Sequence, residues 1–197
     1  LLLVVITFDA MVVMVRVTLN NVGVAVLNNT SFASSAGKTA TINDDYNIGA
    51  IDMSALTVAE TLATGLTTPA IYGNWINGTG TTLTGTGAVT FAGRTTQQIT
   101  SAGKTFTQAI TINSPSGSVT LQDAFVASLS LAGVLTVTQG TFDAATYNVT
   151  LSGGIGTVST SGTGTRTVAV GSGTWTLAGS GTVWNAATST NLTVTGT

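Results

Sequence analysis

LTVTQGTFDAATYNVTLSGG, from Leu135 to Gly154, carries the pattern that decides the fold. Leu135 and Val137 alternate with Thr136 and Thr138, and Val149 and Leu151 alternate with Asn148 and Thr150. Such period-two alternation marks extended strands, because successive side chains of a strand point to opposite faces. Gly140 and the Gly153-Gly154 pair punctuate the two runs as turns. The same texture extends in both directions. In VVMVRVTLN, Val13, Val15, Val17 and Leu19 share one side while Met14, Arg16 and Thr18 share the other. AITIN (109–113), SLSL (128–131), TVAV (167–170) and TWTL (174–177) repeat it, bounded by SPSG, SGG, SGTG and GSG. These runs read as strands of three to five residues. ALTVAETLATG (55–65) is the nearest approach to helical spacing and supports at most one short helical turn.

Spacing separates the two architectures open to such a chain. The apolar residues that open the clear strands are Ile51, Ile71, Phe91, Ile110, Leu129, Val149 and Val168, at steps of 20, 20, 19, 19, 20 and 19 residues. A looser series, Val119, Val137, Val158, Leu177 and Val194, falls about half a period later. A near-constant period with two or three short strands in it is what a parallel β-solenoid requires, since each coil stacks on the one before. The expected fold is therefore all-β, a parallel β-solenoid (β-helix) with coils of about 19–20 residues. The alternative is an antiparallel β-sandwich, whose strands recur at shorter intervals and need no match between alternate ones.

Composition agrees with a stack. Of the 197 residues only 6% are charged and 24 are Gly. Like charges piled directly above one another repel, so outward positions on a solenoid face favour Thr and Ser. A net charge of -2 from five basic and seven acidic residues leaves no basic patch for a phosphate backbone, so nucleic acid is not an expected partner. The absence of Cys and His removes thiolate and imidazole metal sites and every Ser-His or Cys-His nucleophile pair. No metal, cofactor or catalytic residue is expected.

The chain divides at about residue 30. Residues 1–30 are denser in Val, Leu and Met than the rest of the chain and hold one Gly, Gly23. They read as a capping coil or as apolar strands that dock onto a neighbouring subunit, ahead of a solenoid repeat region over residues 31–197. LLLVVI has the hydropathy of a signal peptide's core but lacks its basic flank, and reads instead as a buried strand. Asp9 and Arg16 interrupt the apolar run short of the roughly 20 residues a membrane span needs. The opening Leu1 and the closing GTGT texture suggest a fragment or a processed product.

SAGKT occurs twice, at 35–39 and 101–105, and ends like a phosphate-binding loop. Such a loop needs Gly five residues before its second Gly, and a helix after it. Phe32 and Gln98 stand at that first Gly position, and strand-like TATIN and TFTQAITIN come after the two copies. The phrase reads as a corner, with AGRT (92–95) a variant whose lone cation points to solvent. Asp44-Asp45 is the only adjacent acidic pair and reads as a solvated turn. Trp75, Trp175 and Trp184, with Tyr72, are the candidate glycan or interface contacts, since exposed aromatic rings stack on sugars or on a neighbouring subunit. The sequons at Asn77, Asn148 and Asn191 arise readily in an Asn- and Thr-rich chain.

From about Thr82 onward, SAGKTFTQAITIN, GSVTLQDAF, LTVTQGTFDAATYNVTLSGG, GTRTVAVGSGTWTLAGSGTVWN and NLTVTGT resemble repetitive proteins of tailed phages and of marine metagenomic sequence. They also resemble passages of secreted bacterial fibres and adhesins. The resemblance implies a non-enzymatic structural or tail-fibre-like protein on a virion or cell exterior. The expected partner is the protein itself, as a homotrimer or a filament. A carbohydrate-binding adhesin or receptor-binding fibre that engages a cell-surface glycan is the alternative.

Overall fold

The computed structural model describes residues 26–27, 30–31, 37, 39–42, 47–65, 67–129, 134–155 and 157–196. Strand succeeds strand in a circuit of three. The circuits are β1 (Val26–Leu27), β2 (Thr30–Ser31) and β3 (Thr39–Ile42); β4 (Asn47–Ile48), β5 (Ile51–Asp52) and β6 (Glu60–Thr64); β7 (Ala70–Ile71), β8 (Trp75–Ile76) and β9 (Thr81–Thr84). Next come β10 (Val89–Phe91), β11 (Thr96–Thr100) and β12 (Thr105–Phe106). In the following two circuits the first two strands run together, giving β13 (Ile110–Leu121) with β14 (Phe125–Leu129), then β15 (Leu135–Asp143) with β16 (Val149–Ile155). The series closes with β17 (Val158–Ser159), β18 (Arg166–Ala169), β19 (Trp175–Ser180), β20 (Trp184–Asn185) and β21 (Leu192–Thr195).

Each strand pairs in parallel with its counterpart one circuit away, so the chain is a three-faced parallel β-solenoid. One register column runs through Val26, Asn47, Ala70, Thr90, Thr111, Thr136, Ser159 and Asn185. First and second faces belong to one 14-stranded sheet, while the third is divided into β3-β6-β9 and β12-β14-β16-β19. No helix occurs among the described residues, and the stretch closest to helical spacing holds strand β6 instead of a turn of helix. Nor are all strands short: β13 has 12 residues, because it runs through a corner at Ser116 (φ 62°), where its ladder shifts register between Asn113 and Ser118.

The coils vary from 20 to 26 residues, most of them longer than the expected 19–20. Ile71 pairs with Phe91, 20 positions on, but Val158 pairs with Trp184, 26 positions on. Each face carries buried apolar residues, so a step that is too short still lands on apolar positions while sliding from face to face. Ile51 lies on the second face, Ile71, Phe91 and Ile110 on the first, Leu129 and Val149 on the third, and Val168 on the second. The true neighbours of Phe91 are Ile71 and Ile112.

Inside, Val, Ile, Leu and Phe from the three faces form one core. An aromatic file threads it. Trp75, Phe106, Phe125, Phe142, Trp175 and Trp184 succeed one another with ring centroids 5.0–6.4 Å apart. Corners close so tightly that some admit only Gly. At Gly85 (φ +97°) a Cβ would lie 1.7 Å from the Thr64 carbonyl oxygen of the coil beneath. Most of residues 1–30, Asp44-Asp45 and most of the first SAGKT copy lie outside the described residues.

Phe106 is fully buried between Trp75 and Phe125. Phe106→Ala is expected to cost about 3–5 kcal/mol of unfolding free energy through the cavity it leaves. Denaturant unfolding monitored by Trp fluorescence measures this.

Candidate functional site

The second SAGKT copy makes an anion-binding corner whose anion is supplied by the chain itself. Ala102 (φ 51°) and Gly103 (φ 71°) both take left-handed backbone, which turns successive N–H groups to the same side. The Ser101 and Ala102 N–H groups donate to Asp123 Oδ1 and Oδ2 at 2.7 and 2.6 Å. Asp123 sits one coil further on, so the carboxylate occupies the place a phosphate would take and ties two coils together. The AGRT variant is a different corner. There the Gly93 N–H donates to Gln97 Oε1 at 2.8 Å, and Arg94 is exposed.

Gln97 is a second bracket. Fully buried, it donates from Nε2 to the Ile71 and Gly73 carbonyls at 2.9 and 2.7 Å and accepts from Ser114 Oγ at 3.2 Å. It thereby joins three successive coils. Arg166 is a third. Its guanidinium is buried and donates from Nε to Thr160 O at 2.6 Å, and from Nη1 to Gly164 O at 2.9 Å and Thr190 O at 2.8 Å. Nη2 donates to Thr188 O. Carbonyl oxygens of two coils thus take the place of a counter-ion. Sequence reading passed over both residues, although each falls on the inward phase of its strand, with Ile99 and Val168 respectively.

The sequon asparagines are also brackets. Asn77 Nδ2 donates to Ser101 O, Asn148 Oδ1 accepts from the Thr174 N–H, and Asn191 Nδ2 donates to Thr163 O. Asp52 accepts from the Ser54 N–H at 2.9 Å. Side-chain and backbone hydrogen bonds from Ser54 hold its carboxyl below the ordinary carboxylate range.

Of the four aromatic candidates, Trp75 is corrected. It is 0% exposed, with Nε1 donating to Asn77 Oδ1 at 2.8 Å, so it packs the core and cannot offer a face to a sugar. The inward phase of β8 puts it there. Tyr72 is 48% exposed at the corner between first and second faces. Trp175 and Trp184 are half-buried at the C-terminal end and stack on each other at 6.0 Å with an interplanar angle of 21°. The structure brings these two together and leaves Tyr72 apart from them. No group of three or more His, Cys, Asp or Glu residues that could hold a metal ion occurs among the described residues. No described helix is long and apolar enough to cross a membrane.

No family model, curated protein or solved structure matches the chain.

Asp123→Asn keeps the shape but presents an NH₂ group to one of the two N–H donors. It should cost about 1.5–3 kcal/mol, the worth of a hydrogen bond to a charged group. Lys104→Ala should leave the melting temperature unchanged, and MgATP should not raise it in either protein; a nucleotide-dependent rise would make the corner a phosphate site after all. The stabilisation from Asp52 is complete above the ordinary carboxylate pKa and is lost as pH falls through its lowered value. Melting curves of Asp52→Asn against pH should therefore show a shallower acid-side decline than those of the parent.

Proposed function

We propose that the chain is a structural subunit of a fibre or appendage on a virion or cell exterior, a stiff rod that associates with copies of itself through β-rich surfaces. One observation carries this reading: the polar side chains that could have served chemistry are spent on wiring coil to coil. Asp123, Gln97, Asn77, Asn148, Asn191 and Arg166 each bridge neighbouring coils. Shared coil-to-coil ladders and a continuous apolar core resist bending, which is the property a fibre needs. The hydroxyl-rich outward columns support the external setting, since they carry little charge to keep copies apart.

A carbohydrate-binding reading is favoured by the exposure of Tyr72, 48% on a core-anchored corner. A glycan array decides between the two. Reproducible binding abolished by Tyr72→Ala would move the assignment to an adhesin, whereas the structural reading expects no binding. Sedimentation and electron microscopy of the purified chain should show elongated particles that associate as concentration rises. Compact, inert monomers at all concentrations would count against the fibre.

A further inference from the structure

Asn77 and Gly78 are each fixed by packing for a separate reason, and together they form the one Asn-Gly pair in the 197 residues. We propose that this pair is a self-modification site that the folded stack holds shut. Once the coils around it part, the Gly78 nitrogen attacks the Asn77 carboxamide, and the product bars the chain from returning to its register. Such a site exists whether or not the chain builds a fibre.

The chemistry needs no reagent but water. The main-chain nitrogen of Gly78 gives up its proton and bonds to Asn77 Cγ; the Cγ–Nδ2 bond breaks, ammonia leaves, and a five-membered succinimide closes. Water then opens the ring at one or other carbonyl, giving aspartate or isoaspartate with no change of oxidation state. Gly hinders this attack least, because it has no Cβ and its backbone turns freely. In the fold every participant is held. The Gly78 N–H donates to Thr81 Oγ1 at 3.0 Å, Asn77 Oδ1 accepts from Trp75 Nε1 at 2.8 Å, and Asn77 Nδ2 donates to Ser101 O at 3.2 Å. The Asn77 N–H donates to Thr100 O at 2.9 Å, so the backbone is pinned on both sides of the carboxamide. Asn77 is 2% exposed, which keeps water out. Nor has the nitrogen room to swing round, since a Cβ on Gly78 would lie 2.2 Å from Met53 O and 2.5 Å from Leu56 O of the preceding coil. That crowding forbids a side chain at 78, while the bracket from Trp75 to Ser101 uses both ends of a carboxamide at 77. The fold therefore requires the dipeptide that is labile outside it. The product does not fit. Aspartate would set a buried anion against the Ser101 carbonyl oxygen. Isoaspartate would add a carbon to the main chain directly after Ile76, which must face both Asp52 and Thr100 in the ladder.

Peptide mass spectrometry of the chain held at mildly alkaline pH, with and without guanidinium chloride, reads conversion at Asn77 over time. Conversion in the folded chain should be about tenfold or more slower than in denaturant, because only the open fraction reacts. On dilution from denaturant, converted chains should stay unfolded or melt lower than unconverted chains of the same sample, since chemical change of the unfolded state makes unfolding one-way. Both readings need no variant. Asn77→Gln must close a six-membered ring, which is slow, so its refolded yield, whatever its starting value, should not decline with time in denaturant. Equal rates of conversion with and without denaturant would overturn the proposal. So would converted chains that refold to the parent's melting temperature. A decline in Asn77→Gln as fast as the parent's would place the damage at another residue and overturn it as well.

Discussion

A coil of this chain can satisfy its backbone only with the coils next to it. Extended strands have no internal hydrogen bonds, and an unpaired buried N–H or C=O is costly, so each circuit depends on in-register parallel neighbours. The ladders at β10-β13-β15 and β14-β16-β19 are the outcome. Everything else in the structure serves to keep that register: side chains that fit above one another, corners that return the chain to the right height, and brackets that stop one coil from sliding on the next.

The brackets explain a composition that looks poor in chemistry. Each buried polar group must find a partner, and in a stack the nearest partners are main-chain groups of adjacent coils. Gln97 meets that demand through a carboxamide that both donates and accepts, and Asp123 through two oxygens facing two N–H groups. Arg166 shows how far this extends. Its guanidinium, with donors fixed in a plane, spreads its charge over four carbonyl oxygens where a point charge would not reach them.

Stacking also gives the molecule a direction. In a parallel solenoid all strands of a face run the same way, so the two directions along the axis are not equivalent. The aromatic file runs along this axis and, among the described residues, ends in the half-buried pair Trp175 and Trp184.

Local pattern alone determined that the chain is all-β, that its strands are punctuated by turns, and that thiolate, imidazole and polybasic chemistry are absent. Alternation and turn residues act over two to four positions and are visible without the fold. It also determined that the second SAGKT copy is a corner, because the missing Gly and missing helix are local facts. Only the tertiary structure decided the coil length, the faces on which Ile51, Phe91 and Leu129 lie, and the fate of the aromatics. Those depend on partners 20 or more residues away, and the corners between them vary in length. Whether Trp75 faces solvent or core, and whether Asn77 is a sequon or a bracket to Ser101, is set by what the next coil places against it.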